Sequence, residues 1–210
     1  MFYIRLSIYL IITICVFPAR SGAYEDFFQA VRFDRPSVVM GLLQRGFDPN
    51  SRDESGQTAM TIAAREGSMR VLELLLEHPK IDMNAQNRAG ESALMMVALK
   101  GNADMARRMI ERGAAVHQPG WSPLHYAATG PESKIVAMLL DRGAPVDARA
   151  PNGSTPLMMA AQYSSETTVI LLLERRADAR LTNMEGLNAA DLARMGGRAT
   201  LAERLSMAPR

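Results

Sequence analysis

Apolar positions in this chain come as paired short runs, each pair followed by a stretch rich in Gly, Pro, Asn and Asp. In the clearest pair, Thr61-Ile62-Ala63-Ala64 is a run of small and apolar residues closed by Gly67. A second run from Met69 to Glu77 sets Val71, Leu72, Leu74, Leu75 and Leu76 on one wide face. That periodicity predicts two short amphipathic helices separated by a glycine stop. Asp53-Glu54-Ser55-Gly56 before them predicts a turn, and Thr58 is placed to cap the first helix. Later pairs follow the same plan. They carry Ala98 and Gly101, then Met105, Met109 and Ile110; Ala127 and Ala128, then Ile135 to Leu140; Ala160 and Ala161, then Val169 to Leu173.

The pairs are in register with five similar blocks: Gly56-Gln57-Thr58-Ala59-Met60, Gly90-Glu91-Ser92-Ala93-Leu94, Gly120-Trp121-Ser122-Pro123-Leu124, Gly153-Ser154-Thr155-Pro156-Leu157 and Gly186-Leu187-Asn188-Ala189-Ala190. Their glycines are 34, 30, 33 and 33 residues apart. A period near 33 is the mark of a stacked repeat array, in which each unit buries its apolar face against its neighbours. The predicted units are an N-terminal cap 24–52, repeats 53–86, 87–118, 119–149 and 150–182, and a C-terminal cap 183–210. The caps depart from the pattern, as end units do. The first relies on Phe27, Phe28, Ala30, Val31, Val38, Val39, Leu42 and Leu43, the last on Leu201 and Leu205.

Four segments carry a family resemblance. Ser122-Pro123-Leu124-His125-Tyr126-Ala127 and Thr155-Pro156-Leu157-Met158-Met159-Ala160 resemble the T-P-L-H-x-A core of the ankyrin repeat. Leu139-Leu140-Asp141-Arg142-Gly143-Ala144 and Leu171-Leu172-Leu173-Glu174-Arg175-Arg176-Ala177-Asp178 resemble its L-L-L-x-x-G-A-D segment. The resemblance covers residues 24–208 and implies an all-α solenoid: an ankyrin-repeat stack of antiparallel helix pairs with hairpin loops projecting to one side. His125 stands where the family motif places a structural histidine that bonds within its repeat.

One interval breaks the period. Between Val116 and Gly120, only His117-Gln118-Pro119 stands where other units have a longer hairpin. Trp121, the only tryptophan, follows at once. Its position holds Gln57, Glu91, Ser154 and Leu187 elsewhere and belongs to the exposed loop side of the motif. Two readings stand open: an exposed anchor in a notch, or a plug for the gap left by the deletion.

The N-terminus reads as a signal segment over residues 1–23. Arg5 precedes an apolar run, Leu6 to Phe17, and Ser21-Gly22-Ala23 offers small residues for a peptidase. That run spans only about 18 Å as a helix, short of the roughly 30 Å hydrocarbon core, which argues against an uncleaved anchor. Its removal takes the only cysteine, Cys15, and leaves 22 basic and 22 acidic side chains, because Arg5 and Arg20 are the only charges before residue 24. A neutral, cysteine-free body fits an oxidising compartment, excludes thiolate chemistry, and has no global pull on nucleic acid or acidic membranes. No phosphate loop, metalloprotease helix or nucleophile elbow occurs. The expectation is therefore a non-enzymatic chain with no catalytic residue, metal or cofactor, monomeric, and detached from the membrane once the signal is cut. The Arg107-Arg108 and Arg175-Arg176 pairs read as a solvated outer face. The 15 methionines read mainly as fillers of irregular core gaps, with an oxidant-absorbing surface as the sharper alternative.

What the resemblance implies about function is a protein partner held at the loop tips and on the exposed side of the first helices. Mapped by motif, the tips are Glu54, Arg88, Asn152 and Met184. The site after the tip holds Gln57, Glu91, Trp121, Ser154 and Leu187. The first-helix surface offers Arg65, Glu66, Leu99, Lys100, Gln162, Tyr163 and Arg194. Leu99, Trp121 and Tyr163 are the stronger interface signals, because charged rim contacts contribute little. An exported protein, periplasmic or secreted, is expected. Exported bacterial proteins that it resembles include companions of periplasmic catalases, linked to peroxide resistance, and predicted immunity proteins that block toxins. The first is the leading expectation; an immunity protein or a secreted effector acting on a host protein is the alternative.

Overall fold

Residues 18–207 of the chain are described by a computed structural model, and they form twelve α-helices in six pairs. The pairs are α1 (Pro18–Arg32) and α2 (Pro36–Gln44), α3 (Ala59–Glu66) and α4 (Met69–Leu76), α5 (Ala93–Lys100) and α6 (Ala103–Glu111), α7 (Pro123–Thr129) and α8 (Ser133–Asp141), α9 (Pro156–Tyr163) and α10 (Glu166–Glu174), and α11 (Ala189–Met195) and α12 (Ala199–Ser206). First helices stack on first helices in chain order, and α2 packs on α4, α6 on α8 and α8 on α10. The predicted apolar run Leu6 to Phe17 lies outside the described residues. α1 begins at Pro18 and runs through Ser21 and Ala23.

From α3 onward the first helix of each pair, the inner helix of its unit, starts the same way, with different chemistry. The backbone N–H of the residue before the helix must find an acceptor. It is Thr61 Oγ1 at 3.0 Å in α3, Met95 Sδ at 3.4 Å in α5 and His125 Nδ1 at 3.2 Å in α7. Met158 Sδ at 3.4 Å serves α9 and Asp191 Oδ2 at 3.0 Å serves α11. One position thus accepts the same proton with a hydroxyl, a thioether, an imidazole or a carboxylate. α4 has no side-chain cap of its own. Asp34 of the preceding pair supplies it, accepting from Val71 N at 2.9 Å while its own backbone is left-handed (φ 50).

The core is continuous through the stack. Val71, Met105, Ile135, Thr168 and Leu201 occupy one repeated position and are all buried. Val38 holds that position in α2 but is 41% exposed, against its sequence expectation, because no described unit stacks on its outer side. Met60, Met95, Met105, Met109 and Met158 are core fillers as read from the sequence, whereas Met40, Met184, Met195 and Met207 are exposed.

Side chains also bind each unit's loops to the next. Asn50 accepts from Asp82 N at 2.8 Å, Asn84 from Ala115 N at 2.8 Å, and Asp147 from Asp178 N at 3.1 Å. Closer to the hairpin tips, the Arg149 guanidinium donates to Gly153 O at 2.9 Å and to Thr182 O in the next unit at 2.6 Å. Arg52 does the same for Gly56 O at 3.1 Å and for Gln86 O.

The shortened interval shows why it is tolerated. In the other units a backbone N–H closes the hairpin: Asp53 onto Gln57 O, Asn87 onto Glu91 O, Ala150 onto Ser154 O and Asn183 onto Leu187 O, all at 2.8–2.9 Å. Here the Gln118 side-chain amide takes that role, donating to Trp121 O at 3.0 Å and back to Gly90 O at 2.8 Å. Its carbonyl accepts from Gln86 at 2.9 Å. His117 stands where Asn50, Asn84 and Asp147 stand and makes no such inter-unit bond among the described residues. Gln118, rather than Trp121, fills the gap.

Candidate functional site: the inner face

The inner helices and hairpins present one repeated set of positions, and the sequence-predicted residues fall on it with unequal exposure. Glu54, Arg88, Asn152 and Met184 are exposed at the tips, as are Glu66, Lys100 and Arg194 on the helices. Leu99 is 37% exposed and Tyr163 59%. Gln57, Arg65, Glu91, Leu187 and Gln162 are half-buried. At the post-tip position none of the five residues is exposed as expected, and two of them have a clear structural reason. Ser154 is buried, because its carbonyl closes its own hairpin and also faces His125. Trp121 is half-buried, edge-on to His125 with ring centroids 5.4 Å apart and to Tyr126 at 6.5 Å.

The polar part of this face is tied together. Glu91 Oε2 accepts from Arg65 at 2.9 Å and from Asn87 Nδ2 at 2.7 Å, while Glu91 Oε1 accepts from the Tyr126 hydroxyl at 2.8 Å. Asn87 also donates to Gln57 Oε1 at 3.0 Å. Burial, and then the hydrogen bond to Glu91, push the Tyr126 hydroxyl well above the usual tyrosine range, so it donates at any physiological pH. Sequence reading missed Tyr126 and Asn87, whose roles rest on contacts across 35 and 30 residues. At the tip of the same hairpin row, Arg88 lies over Gly56, whose φ is +77; a Cβ there would come 2.6 Å from Arg88 Cγ. A side chain at 56 would displace that cover.

His125 is spent on structure. Its Nδ1 accepts from Ser122 N–H and from the Ser122 hydroxyl at 2.8 Å, and Nε2 faces Ser154 O of the next unit at 3.1 Å. That arrangement needs the neutral Nε2–H tautomer. Burial lowers the imidazole pKa in agreement with it. Neither ring nitrogen is left for a metal. Among the described residues no cluster of His, Cys, Asp and Glu could hold an ion, and no helix is long and apolar enough to cross a membrane.

The opposite, outer face is laced with ion pairs. Arg108 pairs with Glu73 at 3.1 Å and Glu77 at 3.2 Å, and Arg112 with Glu77 at 2.8 Å. Arg175 pairs with Asp141 at 2.8 Å and Arg204 with Glu166 at 2.9 Å. Arg107 bridges Asp104 and Glu111 on its own helix. These satisfied exposed pairs match a solvated face rather than a polyanion site.

Fold and face together define a stacked-repeat protein with one repeated set of inner-face positions. The pattern of the family described as ankyrin repeats (3 copies) matches residues 27–119, 79–150 and 114–183. The chain belongs to the ankyrin-repeat family, whose members serve as protein–protein interaction modules. It is 29% identical to the protein glp-1 of Caenorhabditis elegans over 180 residues, 78% of this chain and 14% of that protein. It is 31% identical to the nuclear factor NF-kappa-B p105 subunit of Gallus gallus over 165 residues, 75% of this chain and 17% of that protein. The chain thus spans less than a fifth of the length of these two relatives. Among solved structures, it is similar to a chain of the complex of the Bd0816 predatory endopeptidase from Bdellovibrio bacteriovorus with immunity protein Bd3460. The TM-score is 0.74 and the identity 26%, and the match covers 88% of this chain and 98% of that one.

Proposed function

We propose that this chain is an exported, non-enzymatic binder that occludes a partner protein with its inner face, in the manner of an immunity protein set against a peptidase or another toxin. The observation that carries this reading is the extent of its likeness to the endopeptidase–immunity complex. Unlike the long relatives, of which it spans a small part, here the match covers 98% of the other chain. Of the three expectations from sequence, neither support of a periplasmic catalase nor a secreted effector acting on a host protein has a comparable observation behind it. Export rests on the N-terminal segment, Arg5 with Leu6 to Phe17 and Ser21 to Ala23.

The test is capture followed by assay. Tagged full-length chain is expressed in its native cells, the cells are fractionated, and the protein retained with it is identified and purified. The reading expects the chain outside the cytoplasm, and a retained hydrolase whose activity falls as equimolar chain is added. A retained catalase, or a retained enzyme that keeps full activity in the complex, overturns the occlusion reading; a cytoplasmic chain overturns export.

A further inference from the structure

The inner face is two surfaces rather than one. Over the second and third units it carries Glu54, Arg65, Glu66, Arg88, Glu91 and Lys100, with Arg65 and Glu91 already neutralising each other. Over the last three units the positions of those charges hold no charge: they carry Trp121, Tyr163, Met184, Leu187 and Met195 with the polar Thr129, Asn152, Ser154 and Gln162, and Tyr126 and Met159 lie beside them. Register places them together: Trp121 and Leu187 share the post-tip position, Tyr126 and Met159 the middle of the inner helix, Tyr163 and Met195 its last turn. Tyr163 is 59% and Met195 64% exposed, and Met184 at the neighbouring tip reaches 78%. The two charges on the inner helices of this half, Arg194 and Asp191, are bound to each other at 2.7 Å.

We infer that the partner segment seated on residues 119–207 is an uncharged protrusion bearing aliphatic or aromatic side chains. This deepens the proposed function and rests on it for the existence of a partner. The reason is charge matching. A charged residue docked against α7, α9 and α11 would lose water and find no free counter-charge on them, since Arg194 and Asp191 pair with each other and the exposed Glu185 lies out at the last tip. That is costly, whereas an apolar residue loses water favourably. Three methionines, Met159, Met184 and Met195, let the surface adjust to the shape of what it meets. Aromatic and methionine side chains are also those enriched in interface centres, and charges are depleted there.

The only tryptophan reports on the site. A phage-displayed library of random 12-residue peptides is selected on the immobilised chain, and enriched peptides are titrated against it by Trp121 fluorescence. The inference expects enriched peptides poor in Asp, Glu, Lys and Arg, a blue shift of Trp121 emission on binding, and at least a tenfold loss of affinity in both Leu187→Glu and Met195→Glu. The Glu54→Ala and Arg88→Ala variants should bind within about twofold of the parent. Enrichment of charged peptides, or affinity that follows Glu54 and Arg88 instead, overturns it. So does a concentration-dependent dimer of the chain alone that shifts Trp121 and is abolished by Leu187→Glu, since the occupant would then be a second copy. These failures leave occlusion of a partner intact, whereas failure of the capture assay leaves the peptide preference intact.

Discussion

Replacing His125 separates two contributions that the fold has fused in one side chain. The imidazole closes its own helix start at Ser122 and reaches Ser154 O in the next unit at 3.1 Å. Met95 and Met158 close the equivalent starts with Sδ at 3.4 Å and make no reach to the next unit. His125→Met should therefore keep the first contribution and lose the second. Ser154 O retains Ala150 N–H at 2.9 Å, so no carbonyl is orphaned. The cost should be that of one net hydrogen bond, about 1 kcal/mol. His125→Ala also strands Ser122 N–H in a buried site and leaves a void, so it should cost roughly 3–4 kcal/mol. Urea unfolding followed by far-UV circular dichroism and Trp121 emission at neutral pH measures both. The pH dependence is an independent check. Burial lowers the folded pKa of His125 below its unfolded value of about 6.5, so the unfolded chain binds the proton more readily. The parent should lose stability as pH falls below about 6.5, and His125→Met should lose less over that window. Equal costs for the two variants, or an unchanged pH profile in His125→Met, would refute the reasoning.

Three further outcomes are expected. Arg176 occupies a left-handed conformation (φ 67) at the place of Gly46, Gly113 and Gly143, so Arg176→Gly should raise stability by about 1 kcal/mol in the same urea assay; no gain would mean the residue holds a compensating contact. Asp34→Ala should lower stability by about 1 kcal/mol or more through loss of the Val71 cap, with α4 amides exchanging faster by hydrogen exchange. Dilute peroxide should convert Met184, Met195 and Met207 to sulfoxides before Met95, Met109 and Met158, which are buried; peptide mass spectrometry reads the order, and the reverse would contradict the packing.

Periodic features of the fold were legible because they are local. Gly67 and Gly101 end α3 and α5 in the left-handed conformation, Thr58 and Thr155 cap their helices, and Leu201 and Leu205 are buried as their spacing required. The repeated positions of the inner face were legible for the same reason. What escaped was whatever depends on a residue from another unit. Nothing near Asp34 in sequence says that it caps α4, and nothing near Gln118 says that its amide stands in for a missing backbone N–H. Arg65 and Glu91 read as free recognition charges from their positions, yet they meet across 26 residues. Val38 had the right periodicity for a core residue but lies at the end of the stack.

The central claim is that a partner protein sits on the inner face, chiefly on its apolar half. Hydrogen exchange of the full chain, alone and saturated with the protein it retains, tests this most directly. Slowed exchange in α7, α9, α11 and the hairpin at Asn152 to Ser154, with α8, α10 and α12 unchanged, is the result predicted here. Protection confined to the outer helices, with the inner face exchanging as in the free chain, would contradict it.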